Sequence, residues 1–369
     1  MKHSIVLLMM VGMLIFGVGI VYVSRRTAFC LRVRPTWLYV GYAIVFLASF
    51  KLMWQARMPF AAKPAGHWLC VAATVVVGLL LCLLVAFLLT DIVQLFAHFR
   101  SHVFGTIVLT LTFLLFAGGT WNAARPRLKT MVLTIDKLHT PVRVVQLTDI
   151  HLGQFRGRKH LERLVYMANS AKPDIVVITG DLFDAYYNFS EATLEPLKRV
   201  EAPVYFVEGN HDIYVDSPRI KEILRHTGVR VLENEVVTEH GIQIVGLDYL
   251  AADEQTEDQM HVSERPETIR SVLANMQLDS TLATIGLHHN PVGEQYFAAV
   301  GTDLYLAGHT HGGQFYPLVW INDWEFAYNR GLYRCGKMYV YVSCGSGTTG
   351  PVLRIGTRPE VTLFVLNGQ

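Results

Sequence analysis

The sequence predicts an α/β chain in two parts: a layered β-sandwich flanked by helices and, ahead of it, an all-α transmembrane region of about four helices. Three observations predict this. Apolar runs free of Asp, Glu, Lys and Arg crowd the first third of the chain. From about Val132 short β-rich runs alternate with polar, helix-like segments. Five of those runs end in Asp, His or Asn side chains. The expected division is 1–128 and 129–369, which suits a 369-residue chain.

The apolar runs are Ile5 to Val23, Trp37 to Phe50, Trp68 to Thr90 and Val103 to Trp121. A hydrocarbon core of about 30 Å takes roughly 20 helical residues, and a helix satisfies its own backbone in lipid. The second run is short and reaches useful length if Lys51 extends toward the headgroups and Trp54 sits at the interface. The 51% hydrophobic content and mean hydropathy of +0.31 agree with chain buried in lipid. An integral membrane protein, of a bacterial inner or cell membrane, is expected. No small-residue cleavage site follows the first run, so it reads as an anchor and not as a signal peptide. Arg25, Arg26, Arg32 and Arg34 make the first loop the most basic and draw it to the cytoplasm, leaning the C-terminal half outward; Arg125, Arg127 and Lys129 pull the other way.

Expected strands follow: Val142 to Leu147, Ile175 to Thr179, Val204 to Val207, Ile242 to Leu247, Ala283 to Leu287, Leu304 to Ala307, Met338 to Val342 and Val361 to Leu366. Segments around His160 to Ala171, Glu191 to Val200 and Pro218 to His226 read as helices between the early strands. A net charge of +2 and no basic stripe argue against a nucleic-acid partner. The five cysteines form no CxxC pair, so neither a Cys335 to Cys344 disulfide nor a cysteine zinc site is expected. Spans without charges offer no ion path, which disfavours a transporter.

The chemistry lies at the strand ends. They carry Asp149-Ile150-His151, Gly180-Asp181, Gly209-Asn210-His211-Asp212, His288-His289-Asn290-Pro291 and Gly308-His309-Thr310-His311. Ligands of open α/β sheets bind beyond the carboxyl ends of strands, so these distant residues can converge on one rim. Each motif alone is an ordinary polar turn or helix cap. Their succession, each after an apolar strand, points to a metal site of carboxylate, imidazole and amide groups, suited to Zn²⁺, Mn²⁺ or Fe²⁺. Gly153, Gly180, Gly209, Gly308, Gly312 and Gly313 permit tight turns around it.

The order and spelling of these motifs resemble the calcineurin-like metallophosphoesterase superfamily over roughly Val142 to Leu366. The longer string through Gly312, Gly313 and Gln314, with apolar segments upstream, looks like its membrane-anchored branch. The resemblance implies two divalent ions: Asp149, His151 and His311 on the first, Asp181 bridging, and Asn210, His289 and His309 on the second. His288 is the fallback for His289. It further implies that His211 stabilises the transition state or protonates the leaving oxygen, and that Asp212 orients its imidazole. The reaction implied is hydrolysis of a phosphodiester or pyrophosphate, on a phosphorylated and possibly lipid substrate. Enzymes of this branch are associated with a UDP-linked diacylglucosamine. A catalytically silent membrane sensor or scaffold, and a phosphodiesterase of soluble nucleotides, are the alternatives. Asp184 and Asn188 read as turn residues, Arg156 and Arg158 as solvated, and His160, His226, His240 and His261 as surface histidines.

Overall fold

The computed structural model describes residues 2–255 and 265–368, with side chains from Gly17 onward. Four long helices open the chain: α1 (Lys2–Leu31), α2 (Thr36–Gln55), α3 (Pro64–Ala97) and α4 (Ser101–Ala123). Three of them, α2, α3 and α4, are long and apolar enough among the described residues to cross a membrane, against the four expected. Most of the first expected run, up to Phe16, lies outside the described side chains. The described part of α1 ends in polar residues that bind sideways: Arg26 pairs with Asp91 of α3 at 2.6 Å, and Tyr22 donates to the same carboxylate.

Among the described residues twelve strands form two six-stranded sheets. The first runs in the order β1 (Arg127–Thr134), β12 (Glu360–Asn367), β2 (Val142–Leu147), β3 (Ile175–Thr179), β4 (Val204–Val207) and β5 (Arg230–Val231). The second runs β10 (Gly331–Cys335), β11 (Met338–Val342), β9 (Leu304–Ala307), β8 (Ala283–Leu287), β7 (Ile242–Gly246) and β6 (Glu235–Glu239). β2, β3 and β4 are parallel, as are β7, β8 and β9, so the ends bearing the motifs share one direction within each sheet. Buried on both faces, these strands read as mostly apolar runs rich in Val, Ile and Leu, which is why the sequence revealed them.

The inner faces meet in a core that includes Val144, Val177, Val207, Ile244, Ile285, Leu306 and Phe364. Outer helices cover the sheets: α5 (Arg158–Ser170), α6 (Glu191–Leu194), α7 (Asn210–Val215) and α8 (Ser217–His226) belong to the first half, and α9 (Ile269–Asn275), α10 (Glu294–Ala299) and α11 (Leu318–Glu325) to the second. α5 buries Leu161, Leu164, Val165 and Ala168, the one-sided spacing of an amphipathic helix. Four strands escaped the sequence reading. β1 alternates exposed and half-buried positions, β10 and β6 are edge strands, and β5 has only two residues.

The two parts of the chain are joined side to side. Asn122 of α4 donates to the carbonyls of Arg354 and Thr357 at 2.8 and 2.9 Å, and Arg354 N–H returns a bond to Gly119 O at 3.0 Å. Tyr186 N–H donates to Ala56 O, and His67 of α3 stacks on Tyr187 with centroids 3.6 Å apart. At 34 residues α3 is about 51 Å long, well beyond a bilayer core, and its first half contacts the sandwich, His67 on Tyr187 and Gly78 against Pro351 and Leu353.

Candidate metal centre

Five of the seven expected ligands leave their strands on turns that regular secondary structure forbids. Asp149, His151, Asp181, His309 and His311 all have φ between 48° and 71°, a left-handed conformation costly for side chains with a Cβ. Five such residues on one rim is the clustering of strain expected where surrounding structure enforces a functional geometry. Gly209 and Gly308 permit the close approach. A Cβ at Gly209 would fall 2.2 Å from Asp181 Oδ1, and one at Gly308 2.3 Å from Asp149 Oδ2.

The rim gathers three sets of side chains whose ligand atoms lie within 4.8 Å of one another: Asp149, His151 and His311; Asp181, His289 and His309; and His151, Asp184 and His211. Within the first set His311 Nε2 is 3.4 Å from Asp149 Oδ1 and 2.9 Å from His151 Nε2. Asp181 faces both sides, with Oδ2 3.6 Å from His151 Nε2 and 3.1 Å from His289 Nε2. Asn210 joins through its Oδ1, 3.0 Å from His309 Nδ1. All seven expected residues thus meet at one place. His288 does not: its Nδ1 binds Asn290 O at 2.7 Å and its Nε2 accepts from Leu250 N–H at 3.2 Å. Burial pushes it down to about 4, a neutral packed ring.

The donor set fits divalent cations. His289 Nδ1–H donates to Thr179 O at 2.7 Å, which turns Nε2 toward the cluster, where a cation would take the place of its proton. That nitrogen is buried and makes no hydrogen bond. Burial alone would raise both central carboxyls and does raise Asp149; the imidazoles of His289 and His211 override it at Asp181 and hold that group well below the usual carboxylate range. Burial opposes the charged imidazole of His289, yet Asp181 drives it up to about 9. Two buried carboxylates and four imidazoles packed within reach of one another form the sort of site that oxygen- and nitrogen-loving cations occupy.

A family model described as calcineurin-like phosphoesterase matches residues 142–313. Over 268 residues the chain is 30% identical to an uncharacterized metallophosphoesterase of Campylobacter jejuni, covering 72% of this chain and 69% of that one. The chain belongs to the calcineurin-like metallophosphoesterases. It is also 32% identical over 277 residues to a transmembrane protein with metallophosphoesterase domain of Danio rerio, covering 70% of this chain and 62% of that one. The Bos taurus protein of the same description is 29% identical over 395 residues, covering 94% of this chain and 86% of its own. Enzymes of this family are phosphoester hydrolases, and its dimetal members use two ions.

In this metallophosphoesterase the surroundings of His211 differ from expectation. Asp212 does not orient its ring. The Asp212 carboxylate accepts from the backbone N–H groups of Leu182, Phe183 and Gly209 at 2.9, 3.0 and 2.9 Å, tying α7 to the turn after β3. As the third residue of α7 it bends back over the helix start, away from the ring beside it in sequence. The imidazole partner is Asp184, whose Oδ1 accepts from His211 Nδ1–H at 2.7 Å. Despite its burial, the His151 imidazole 3.8 Å away and the bond from His211 hold Asp184 well below the carboxylate range. Sequence gave little signal for Asp184, because a polar residue three past a turn is ordinary chain.

Two more residues of the site were missed or misread. Arg354 is fully buried beneath His311, donating to the carbonyls of His311, Cys344 and Gly347 at 2.8, 2.6 and 2.7 Å. Arg156, read as solvated, is buried instead; desolvation lowers it to about 10, and it donates to Thr348 Oγ1 at 2.7 Å. His160, expected at the surface, is half-buried with its Nε2 enclosed, and desolvation beside Arg156 and Arg163 lowers it to about 3. His226 and His240 are exposed as expected, while His261 lies outside the described residues.

Proposed function

We propose that this protein is a dinuclear metal-dependent hydrolase of a phosphodiester or pyrophosphate bond in a membrane-associated phospho- or glycolipid, a UDP-diacylglucosamine-type precursor being one such substrate. Residues 1–128 serve as the anchor and 129–369 as the hydrolytic domain, the junction falling inside β1. The supporting observation is the position of the site. A cleft of about 330 Å³ beside Asp181, His211, His309 and His311 has Leu81 of membrane helix α3 and Phe315 in its wall. A soluble nucleotide has no need of such a wall, whereas a lipid ester carries the apolar surface that would cover it.

Asp149, His151 and His311 would hold one ion, Asn210, His289 and His309 the other, with Asp181 between them. Two ions in place would offset the charge of the phosphate and acidify a water for in-line attack. The chain supplies the rest. His211, fixed by Asp184 through Nδ1–H, presents Nε2 for proton transfer to the leaving oxygen. Arg354 and the left-handed turns keep the ligand rings in register before substrate arrives. The basic Arg25 to Arg34 segment supports a cytoplasmic position for that end and an outward-facing hydrolytic domain. Protease accessibility in right-side-out against inverted vesicles tests the side; digestion only in inverted vesicles would refute it.

The test of function is hydrolysis by the full-length protein in detergent, with Mn²⁺, Zn²⁺ or chelator, of a lipid pyrophosphate and of bis(p-nitrophenyl) phosphate. Metal-dependent turnover of the lipid at a kcat/KM at least tenfold higher supports the reading. Equal or exclusive use of the soluble diester removes the lipid from it, and no turnover of either removes the enzyme.

A further inference from the structure

A second opening leads to the same centre from the membrane side. This cavity, of about 240 Å³, runs from His151 and Asp184 past Arg156 to Phe50, Met53, Trp54 and Arg57, where α2 ends. Its floor is polar and its mouth apolar. Phe50 and Trp54 are exposed side chains on a helix apolar enough to lie in lipid.

Arg57 stands at the junction. Its guanidinium lies over the rings of Trp54 and Tyr214, 5.3 and 5.0 Å from their centroids, and Nη2 is 3.5 Å from His211 Nδ1. His211 Nδ1–H is already committed to Asp184, so Arg57 gains no hydrogen bond there. Among the described residues no carboxylate lies within ion-pair distance of Arg57, and the same is true of Arg156 across the cavity. Arg57, without a carboxylate in a passage ending at a phosphoesterase centre, leaves donors directed at an anion, while the Arg156 guanidinium opposite is held by Thr348 Oγ1 and Ala123 O.

We propose that Arg57 is a substrate-binding residue contributed by the membrane region. It grips an anionic oxygen of a lipid phosphate whose acyl chain lies across Phe50, Met53 and Trp54, so that the ester enters laterally from the bilayer. The cation–π contacts with Trp54 and Tyr214 hold the guanidinium at the mouth of the passage, and its fork of donors suits a phosphate. This rests on the phosphoesterase reading above and deepens it, assigning lipid selection to α2 and not to the sandwich.

The experiment uses the full-length protein in nanodiscs with phosphatidic acid bearing a diazirine in its acyl chain, and diacylglycerol with the same diazirine as control. The expected result is light-dependent labelling of the Phe50 to Trp54 segment by phosphatidic acid at least fivefold above diacylglycerol. Arg57→Ala lowers it to the diacylglycerol level, Arg57→Lys keeps about half, and the melting temperature is unchanged in both. Equal labelling by the two lipids, or labelling that survives Arg57→Ala, overturns the proposal. Bis(p-nitrophenyl) phosphate hydrolysis by the same wild-type sample is measured alongside. Its absence would refute the phosphoesterase reading, whereas normal hydrolysis with phosphate-independent labelling would refute only the role of Arg57. If Arg57→Ala does not fold, Trp54→Ala, which removes one face of the stack, is expected to lower phosphatidic acid labelling at least twofold, and no change would count against the proposal.

Discussion

The membrane helices and the rim of the sandwich solve burial in opposite ways. In α2 to α4 the large apolar side chains point outward: Trp37 is 81% exposed, Phe96 83% and Leu109 68%. Apart from a cluster around Phe87 and Phe104, many of the residues they enclose are small or weakly polar, such as Ser49, Ala73, Thr74, Gly78, Ala86 and Thr112. Thr74, Thr90 and Thr112 each return their hydroxyl to the carbonyl four residues earlier, which satisfies those buried groups within their own helices. At the rim apolar strands are sealed inside and the buried end is crowded with Asp and His. The difference teaches that apolar content alone says little; the solvent each region faces decides which side chains turn inward.

The most damaging change at the rim is Asp181→Asn. It removes the carboxylate that faces both His151 and His289, and a fall of about a thousandfold in metal-dependent kcat/KM is expected, with loss of bound metal by elemental analysis. A fall of less than tenfold would mean that Asp181 is not the shared ligand. In the helices the corresponding insult is Leu109→Arg. On a lipid-facing site it costs about 2.5 to 3.5 kcal/mol of insertion, read as a drop in the carbonate-resistant membrane fraction. Were the variant inserted as well as wild type, α4 would face protein or water.

Smaller effects separate the two aspartates beside His211. Asp184→Asn should lower kcat by about tenfold to a hundredfold and alter the pH-rate profile, because it loosens the imidazole. Asp212→Asn should act mainly on the melting temperature, since its carboxylate closes three backbone N–H groups. The reverse pattern would restore Asp212 as the orienting group. The mildest prediction concerns His160, whose folded-state pKa of about 3 lies below its ordinary 6.5. The unfolded chain therefore binds the proton more tightly, and this contribution to stability is present above pH 6.5 and lost as pH falls toward 3. His160→Gln should flatten the decline of melting temperature across that window; an unchanged slope would show that the ring is solvated.

By itself the sequence determined what depends on local composition and order. Val142 to Leu147, Ile175 to Thr179 and Leu304 to Ala307 appear as strands at the expected residues, because doubly buried strands cannot hide their composition. The glycine-flanked Asp, Asn and His at their ends were legible for the same reason, since few turns require those residues in that succession. Tertiary structure alone decided which of two neighbours serves. His289 rather than His288 reaches Asp181, and Asp184 rather than Asp212 holds His211, because a turn of φ and ψ reverses where a side chain points while leaving its place in the chain unchanged. It also brought Arg57, Arg156 and Arg354 to the centre from stretches with no motif. Their placement depends on long-range packing of α2, α4 and the last loop against the rim, and no periodicity in the chain encodes a contact between elements so far apart.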